Sequence, residues 1–444
     1  MPKLAIIDHI VSAGGVERFL HGLVGGLLEL PEIKEWKITI LLNRYNSGGY
    51  VVRWPENLTA PNVCVRYLCD EDRLSRFLNR LSKAQSIRGI PGTARAQRII
   101  PLLLGRYGTS WLRRHADVRS WIEHYCLQRQ FDVVYFSYPY GMECPRIPMP
   151  MVATPHDFNY KRFNTLAPAT RAQIDRQMPE WLSRCRQLVV SSKFMASELC
   201  HFYPEFANKV RVVCLGIPGG SRVPTELELE SYWQSIGLPQ RFLLNTGWIA
   251  PHKNQKVLFE ALGLLQRKGI NIPLVCVGPN SDQLQPSNKR RAGGYVREVL
   301  QVAEHFGLQY GRDFLGLGYV DDFELECLYR LALIVVVPSL YEAGSFAIIE
   351  AVRAQCPVAC SRIPAHIEQA NLIGNNVWLF EPFEARNLAD TIEQMLAHTE
   401  VTTERAVRAA EMVGQAYSWQ KAAAGYLSVF QEVVEGSITR VGGR

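Results

Sequence analysis

Glu342 and Glu350, with seven residues between them, carry the strongest chemical signal in the chain. They follow an apolar run, Leu333-Ile334-Val335-Val336-Val337, and a turn of mostly small residues that ends Ala343-Gly344-Ser345 before a helical stretch opening at Phe346. A buried strand, a tight turn and a helix start form an anion site, because unpaired backbone N–H groups and the positive end of the helix dipole face the ligand. A carboxylate beside such a site can accept hydrogen bonds from two adjacent hydroxyls. Two at this spacing can hold a sugar and a ribose separately. Without the turn they would read as a pair of solvated glutamates on a surface helix.

Other residues extend the pattern. Lys253 lies after an apolar run and before a helical stretch, where an ammonium can neutralise a diphosphate and stabilise it as it leaves. Gly14 and Gly15 follow the first apolar run and open a helix, so their N–H groups can approach a phosphate or an acceptor closely, although a lone Gly-Gly is more often only a turn. His156, with Asp157 beside it, follows another apolar run; taken alone, a histidine there is more often a packed or surface residue. Asp70-Glu71-Asp72 has the D-x-D form of a metal and nucleotide motif. It lies far from the phosphate signals, at the edge of a basic stretch, and reads better as a solvated acidic turn. No essential metal and no tightly held cofactor are expected.

These side chains need elements to position them. Short apolar runs at 4–8, 37–43, 62–67, 132–137, 151–154, 187–191 and 210–214 read as strands, as do 242–246, 272–277, 313–316, 333–337, 357–360 and 376–380. Most lack alternation, as expected for parallel strands covered on both faces. Amphipathic stretches lie between them, such as Val257, Leu258, Ala261, Leu262 and Leu265 at helical spacing. The alternation predicts an α/β protein with two doubly wound domains. The first would span 1–217, with a basic insertion at about 70–125, and a Gly/Pro-bounded linker would span 218–238. The second would span 239–416, and a helical segment, 417–444, would close the chain.

Composition narrows the class. The 444 residues are 47% hydrophobic and 20% charged, with 33 Gly and 25 Pro, which excludes collagen-like and wholly disordered chains. Eleven Cys are scattered without a C-x-x-C, so a reducing compartment and no structural zinc are expected. No apolar run approaches the length of a membrane span. Leu4 to His9 is too short for a signal sequence and reads as a first buried strand. Net charge is +7, but Arg73 to Arg119 holds ten Arg and one Lys against one acid, Asp117. Basic residues interleaved with Ile, Leu and Trp suit an anionic membrane surface or an acidic acceptor; a solvated Arg-rich helical insertion fits equally well. No nucleic-acid motif accompanies the charge.

Six segments in order give a resemblance. Pro338-Ser339-Leu340-Tyr341-Glu342, seven residues, Glu350-Ala351 and then Cys356-Pro357-Val358-Ala359 resemble the E-x7-E region of retaining GT-B glycosyltransferases of family 4. Gly14-Gly15-Val16-Glu17-Arg18 resembles that family's glycine loop. Thr154-Pro155-His156-Asp157 resembles its histidine segment. Val190-Ser191-Ser192 with Lys209 to Ile217 resembles the end of its first domain. Gly247-Trp248 with Pro251-His252-Lys253-Asn254 resembles its phosphate-binding lysine loop. Gly318-Tyr319-Val320-Asp321 resembles the segment near the base.

The resemblance implies a GT-B fold: two Rossmann-like domains facing a cleft, with a C-terminal helix returning to the first domain. It implies a retaining transfer of a mannose- or glucose-type hexose from a GDP- or UDP-linked sugar to a glycan, lipid-linked or other acceptor hydroxyl. His156, Glu342 and Lys253 would be catalytic. Gly14, Gly15, Lys253, Gly344, Ser345, Phe346, Glu350, Tyr319 and Val320 would bind the donor. The chain would be cytoplasmic, with possible peripheral contact of 73–119 with an anionic inner membrane face. An epimerase or hydrolase on the same fold, or a non-catalytic sugar-nucleotide-binding subunit of a glycan assembly complex, are the alternatives. Two departures bear on them. Trp248 stands where the family commonly has an arginine, and Ala343-Gly344-Ser345-Phe346-Ala347 replaces Gly-Phe-Gly-Leu-Pro.

Overall fold

Leu4, Ala5, Ile6 and Ile7 are all fully enclosed, and they show why an unbroken apolar run becomes a strand here. Leu4 and Ile6 face one layer of helices; Ala5 and Ile7 face the other. The computed structural model describes residues 1–9, 15–43, 54–68, 118–164, 166–217 and 222–441. Gly14, the Asp70-Glu71-Asp72 triplet and nearly all of the basic stretch 73–119 lie outside the described residues.

Each of the thirteen expected strands forms. The first sheet contains β1 (Lys3–Asp8), β2 (Lys37–Leu42), β3 (Val63–Tyr67), β4 (Val133–Phe136), β5 (Met151–Ala153), β6 (Cys185–Val190) and β7 (Val210–Val212). Its order is β3-β2-β1-β4-β5-β6-β7, and every pair is parallel. The second contains β8 (Leu243–Thr246), β9 (Leu274–Val277), β10 (Phe314–Gly316), β11 (Ile334–Val337), β12 (Val358–Ser361) and β13 (Trp378–Phe380). Its order is β10-β9-β8-β11-β12-β13, again parallel throughout. The order reverses at β1/β4 in one sheet and at β8/β11 in the other. A parallel doubly wound sheet opens a crevice beyond the carboxyl ends of its strands at such a reversal.

Helices cover both faces. Those before the second sheet are α1 (Gly15–Glu29), α2 (Val118–Arg129), α3 (Asn159–Arg162), α4 (Pro168–Arg184), α5 (Lys193–Phe202) and α6 (Glu226–Ile236). Then come α7 (Gln255–Arg267), α8 (Gly294–Phe306), α9 (Asp322–Leu331), α10 (Phe346–Arg353), α11 (Pro364–Leu372), α12 (Ala385–Ala397), α13 (Thr399–Ala416) and α14 (Trp419–Val441). The stretch 218–238 is not merely extended chain, since it holds α6. Thr225 and Glu228 form a reciprocal capping box at its start, and Gly237 ends it at φ +63°. Among the described residues no helix is long and apolar enough to cross a membrane.

The last helix crosses back to the first sheet. Tyr426, Leu427 and Phe430 of α14 share a core with Leu4, Ile6, Phe19 and Leu23. The crossing is close because small residues line it: a Cβ on Gly22 would lie 2.0 Å from the Trp419 indole, and one on Gly26 2.3 Å from the Trp419 carbonyl oxygen. This sets a sign test. In a helix interior Gly→Ala ordinarily stabilises by about 1 kcal/mol. Gly22→Ala is expected to destabilise instead, by about 1–3 kcal/mol of overpacking. Urea unfolding checks it, and an unchanged or raised midpoint contradicts this packing of α14.

Candidate functional site

The adjacency of β8 and β11 builds the centre of the site. Ile334 pairs with Leu243 and Val335 with Leu244, so the loops leaving the two strands emerge side by side. After β8 a single 3-10 turn, Pro251–Lys253, ends at Asn254 with φ +56° and α7 begins. After β11 the turn carries Ser339 and Glu342 to the start of α10. Lys253 Nζ donates to Glu342 Oε1 at 2.5 Å, and Ser339 Oγ donates to the same oxygen at 2.7 Å. Burial alone would raise the Glu342 pKa; Lys253, His366 and the two hydrogen bonds outweigh it and hold the carboxyl below its ordinary range. Glu342 is therefore an anion at neutral pH, in a place where an unpaired anion would be costly.

The same turn fastens the two domains. Tyr341, next to Glu342, lies in the core of the first domain, and its hydroxyl accepts the Phe158 N–H at 3.0 Å. Ser192 Oγ donates to the Ala343 carbonyl at 2.8 Å. From the second domain, Glu368 accepts the Lys193 and Phe194 amides at 2.8 and 2.9 Å, capping the start of α5.

Between the domains lies a cleft of about 420 Å³. His156, Lys253 and Glu342 all line it, as do Gly15, Gly344, Ser345, Phe346, Glu350, Tyr319 and Val320. Of the residues expected to be catalytic or to bind the donor, Gly14 alone lies outside the described residues. Trp248 is 43% exposed and meets His252 edge-on at 6.3 Å.

Two details refine the reading of these side chains. The Ser345 amide, expected to face an anion, donates instead to Gln369 Oε1 at 2.9 Å. The α10 amides left for an anion are those of the first turn, from Phe346 onward, which have no intrahelical acceptor. Glu350 is not a solvated glutamate. It is 6% exposed and both its oxygens are engaged: Arg18 Nη1 donates to Oε1 at 2.6 Å and the Tyr329 hydroxyl to Oε2 at 3.0 Å. Arg18 also donates to Asp322. The sequence showed Arg18 within the glycine loop but gave no sign that its charge crosses the cleft.

His156 follows β5 and stacks edge-on against Phe19 at 4.9 Å. Its Nε2 lies 2.7 Å from the Ser137 carbonyl oxygen, which can only accept. Nε2 therefore carries the proton, and Nδ1 is left as an acceptor. Burial pushes the pKa down to about 4, ahead of the opposing effect of the Ser137 carbonyl, so the ring is neutral near pH 7. It can accept a hydroxyl hydrogen; it does not act as a cation.

Comparison with known proteins agrees with this geometry. The family model described as "Glycosyltransferase Family 4" matches residues 13–218, and that described as "Glycosyl transferases group 1" matches 234–412. The chain belongs to the group 1 glycosyltransferases. It has the GT-B fold expected of them. One similar protein is an uncharacterised glycosyltransferase of Methanocaldococcus jannaschii, 25% identical over 260 residues, covering 56% of this chain and 60% of that one. The alignment thus spans less than two thirds of that relative's length. Another is O-antigen chain mannosyltransferase B of Escherichia coli, 24% identical over 416 residues, covering 91% of this chain and 93% of that one. Among solved structures, sucrose-phosphate synthase from Thermosynechococcus elongatus superposes with a TM-score of 0.64 at 16% identity, covering 98% and 100% of the two chains. Anabaena HepE in complex with UDP and glucose gives 0.62 at 15%, covering 97% and 100%.

The glycosyltransferase's buried imidazoles make its stability depend on pH. His9, His156, His252 and His366 all titrate near 4 when folded, chiefly through burial. In the unfolded chain an imidazole titrates near 6.5. Between those values the unfolded state binds more protons, so stability rises with pH there and is fully present above about 6.5. Each such imidazole adds a slope of up to about 1.4 kcal/mol per pH unit inside the window. Urea unfolding at pH 7, 6 and 5 should show a falling midpoint, with a shallower fall in His156→Gln. A midpoint constant from pH 7 to 5 contradicts these four neutral, buried rings.

Proposed function

We propose that this chain is a retaining hexosyltransferase that moves a mannose- or glucose-type sugar from a nucleotide diphosphate to an acceptor hydroxyl. The observation that carries the reading is the convergence of Lys253, Glu342, the open amides of α10 and neutral His156 in one inter-domain cleft. The nucleotide sugar would lie against the second domain, with its diphosphate between Lys253 and the start of α10. Glu342 would accept from the sugar hydroxyls, and Tyr319 and Val320 would flank the base. His156 Nδ1 would accept a hydroxyl hydrogen of the sugar or the acceptor. The E. coli relative's name favours mannose, and the HepE complexes with UDP and UDP-glucose keep glucose in view.

In the step itself the bond from the anomeric carbon to the diphosphate oxygen breaks while a bond to the acceptor oxygen forms on the same face. The acceptor proton passes to the departing phosphate oxygen. Lys253 and the helix end stabilise the charge that develops there, and no covalent intermediate with the protein is required. Exclusion of water by the closed cleft favours transfer over hydrolysis. We further propose that the reaction needs no metal. The basic stretch 73–119 makes a lipid-linked or anionic acceptor the class to test first.

Kinetics with GDP- and UDP-hexoses test the assignment. Lys253→Ala and Glu342→Gln should each lower kcat by about 10²–10³-fold, as removal of a group that stabilises developing charge does. NMR of the product should show the donor's anomeric configuration preserved. Wild-type rates in both variants defeat the reading, and an inverted product defeats retention. Loss of activity in EDTA, restored by a divalent ion, defeats the metal-free part.

A further inference from the structure

We propose that Arg18 is a donor-site residue: the second positive charge of the cleft, handed from Glu350 to the diphosphate when a nucleotide sugar enters. This rests on the reading of the cleft as a nucleotide-sugar site.

Charge balance raises the question. Lys253 is already paired with Glu342, so that pair contributes no net charge toward a diphosphate. Position 248, one residue after the cleft-lining Gly247, holds a tryptophan and no cation. Lys253 and Arg18 are the only Lys or Arg among the described residues lining the cleft.

The geometry places Arg18 within reach. A Cβ on Gly15 at the start of α1 would lie 3.9 Å from the Phe346 ring at the start of α10, so the two helix N-termini abut. Arg18 and Glu350 lie about one turn further along their helices, and Arg18 Nη1 meets Glu350 Oε1 at 2.6 Å. One turn is about 5.4 Å. A guanidinium on its flexible stem covers that distance by rotamer change, without movement of α1. An anion at the two helix ends would then receive Arg18 as a planar fork of donors, which suits phosphate oxygens.

The exchange also settles the standing of Glu350. With both oxygens taken, it has little left for the two hydroxyls of a ribose. When Arg18 leaves, Oε1 becomes free to accept them while Tyr329 keeps Oε2 in place. One movement supplies a cation to the diphosphate and an acceptor to the ribose. Asp322, the other Arg18 partner, is half exposed and can be hydrated when Arg18 departs.

Calorimetric titration of the full chain with GDP, UDP, guanosine and uridine tests this. For whichever base binds, Arg18→Gln should weaken the diphosphate at least about tenfold, the loss expected for a hydrogen bond between charged groups. Nucleoside binding should be unchanged or tighter, because Glu350 is released. Glu350→Gln, an independent variant, should leave nucleoside binding close to wild type, because without a diphosphate Arg18 keeps that carboxylate occupied, and should weaken the diphosphate less than Arg18→Gln does. If Arg18→Gln binds the diphosphate as well as wild type, or weakens nucleoside and diphosphate equally, the proposal is overturned while the donor-site reading stands. If the wild-type chain binds none of the four, the donor-site reading falls and this proposal with it.

Discussion

A charged carboxylate held almost out of water needs a cation beside it, and that requirement organises the site. Glu342 is such a carboxylate, and Lys253 is its cation. Leaving either alone in this setting would cost about 3–5 kcal/mol. The pair can form only because β8 and β11 are neighbours although 87 residues lie between Thr246 and Ile334. Every helix and strand between them, α7 to α9 with β9 and β10, fills the sheet on one side so that the reversal of strand order falls at this pair. The opening that results belongs to the topology. Its chemistry belongs to the two loops that leave it.

The turn bearing Glu342 is fixed from both domains. Tyr341 sits in the first domain's core while Glu342, one residue on, faces Lys253. A change in how the domains meet must therefore pass through the backbone that carries the carboxylate. Ser192 on the Ala343 carbonyl and Glu368 on the start of α5 add polar contacts close by. Arg18 spans the cleft farther out, on Glu350 and Asp322. Of the inner contacts, the one between Tyr341 and Phe158 is buried, and those of Ser192 and Glu368 range from part-buried to exposed. The outer one is partly exposed and depends on a flexible side chain, which makes it the contact an entering ligand can exchange at least cost.

The sheets were legible in the sequence for a physical reason. A parallel strand covered on both faces must be apolar at every position, so Ile334 to Val337 announces itself without its neighbours. Lys253, Glu342 and His156 stood out because each lies a few residues beyond such a run, where a doubly wound sheet gathers its ligands, and Glu350 because of its spacing from Glu342. What stayed hidden are pairings between distant segments. Nothing local in Ser345 points to Gln369, and nothing in Tyr341 points to Phe158 and the other domain's core. Arg18 is the same case: its neighbours in sequence are the glycine loop, yet its partners lie more than 300 residues away. The helix within 218–238 is different, because the Thr225 and Glu228 capping signal was present and the surrounding Gly and Pro outweighed it.

Among the described residues the cleft's two cations are both committed to carboxylates, Lys253 to Glu342 and Arg18 to Glu350 and Asp322. A site of fixed, unpaired positive charge would attract a diphosphate more strongly at long range, but it would carry like-charge repulsion and desolvation while empty. Pairing removes that cost and replaces it with an exchange: phosphate oxygens take the donors, and the carboxylates released need donors in turn. Sugar and ribose hydroxyls are such donors, and their vicinal pairs, held at a distance from the diphosphate, can reach both carboxylates at once, which the P–OH groups of a free phosphate cannot. Acceptors that must be re-satisfied after the cations move therefore favour a ligand carrying both diphosphate and vicinal hydroxyls over a simple anion. Selectivity of this kind arises from the groups a wrong ligand would leave unpaired. On the donor-site reading proposed above, Glu342 and Glu350 would set it in this cleft as much as the cations they hold.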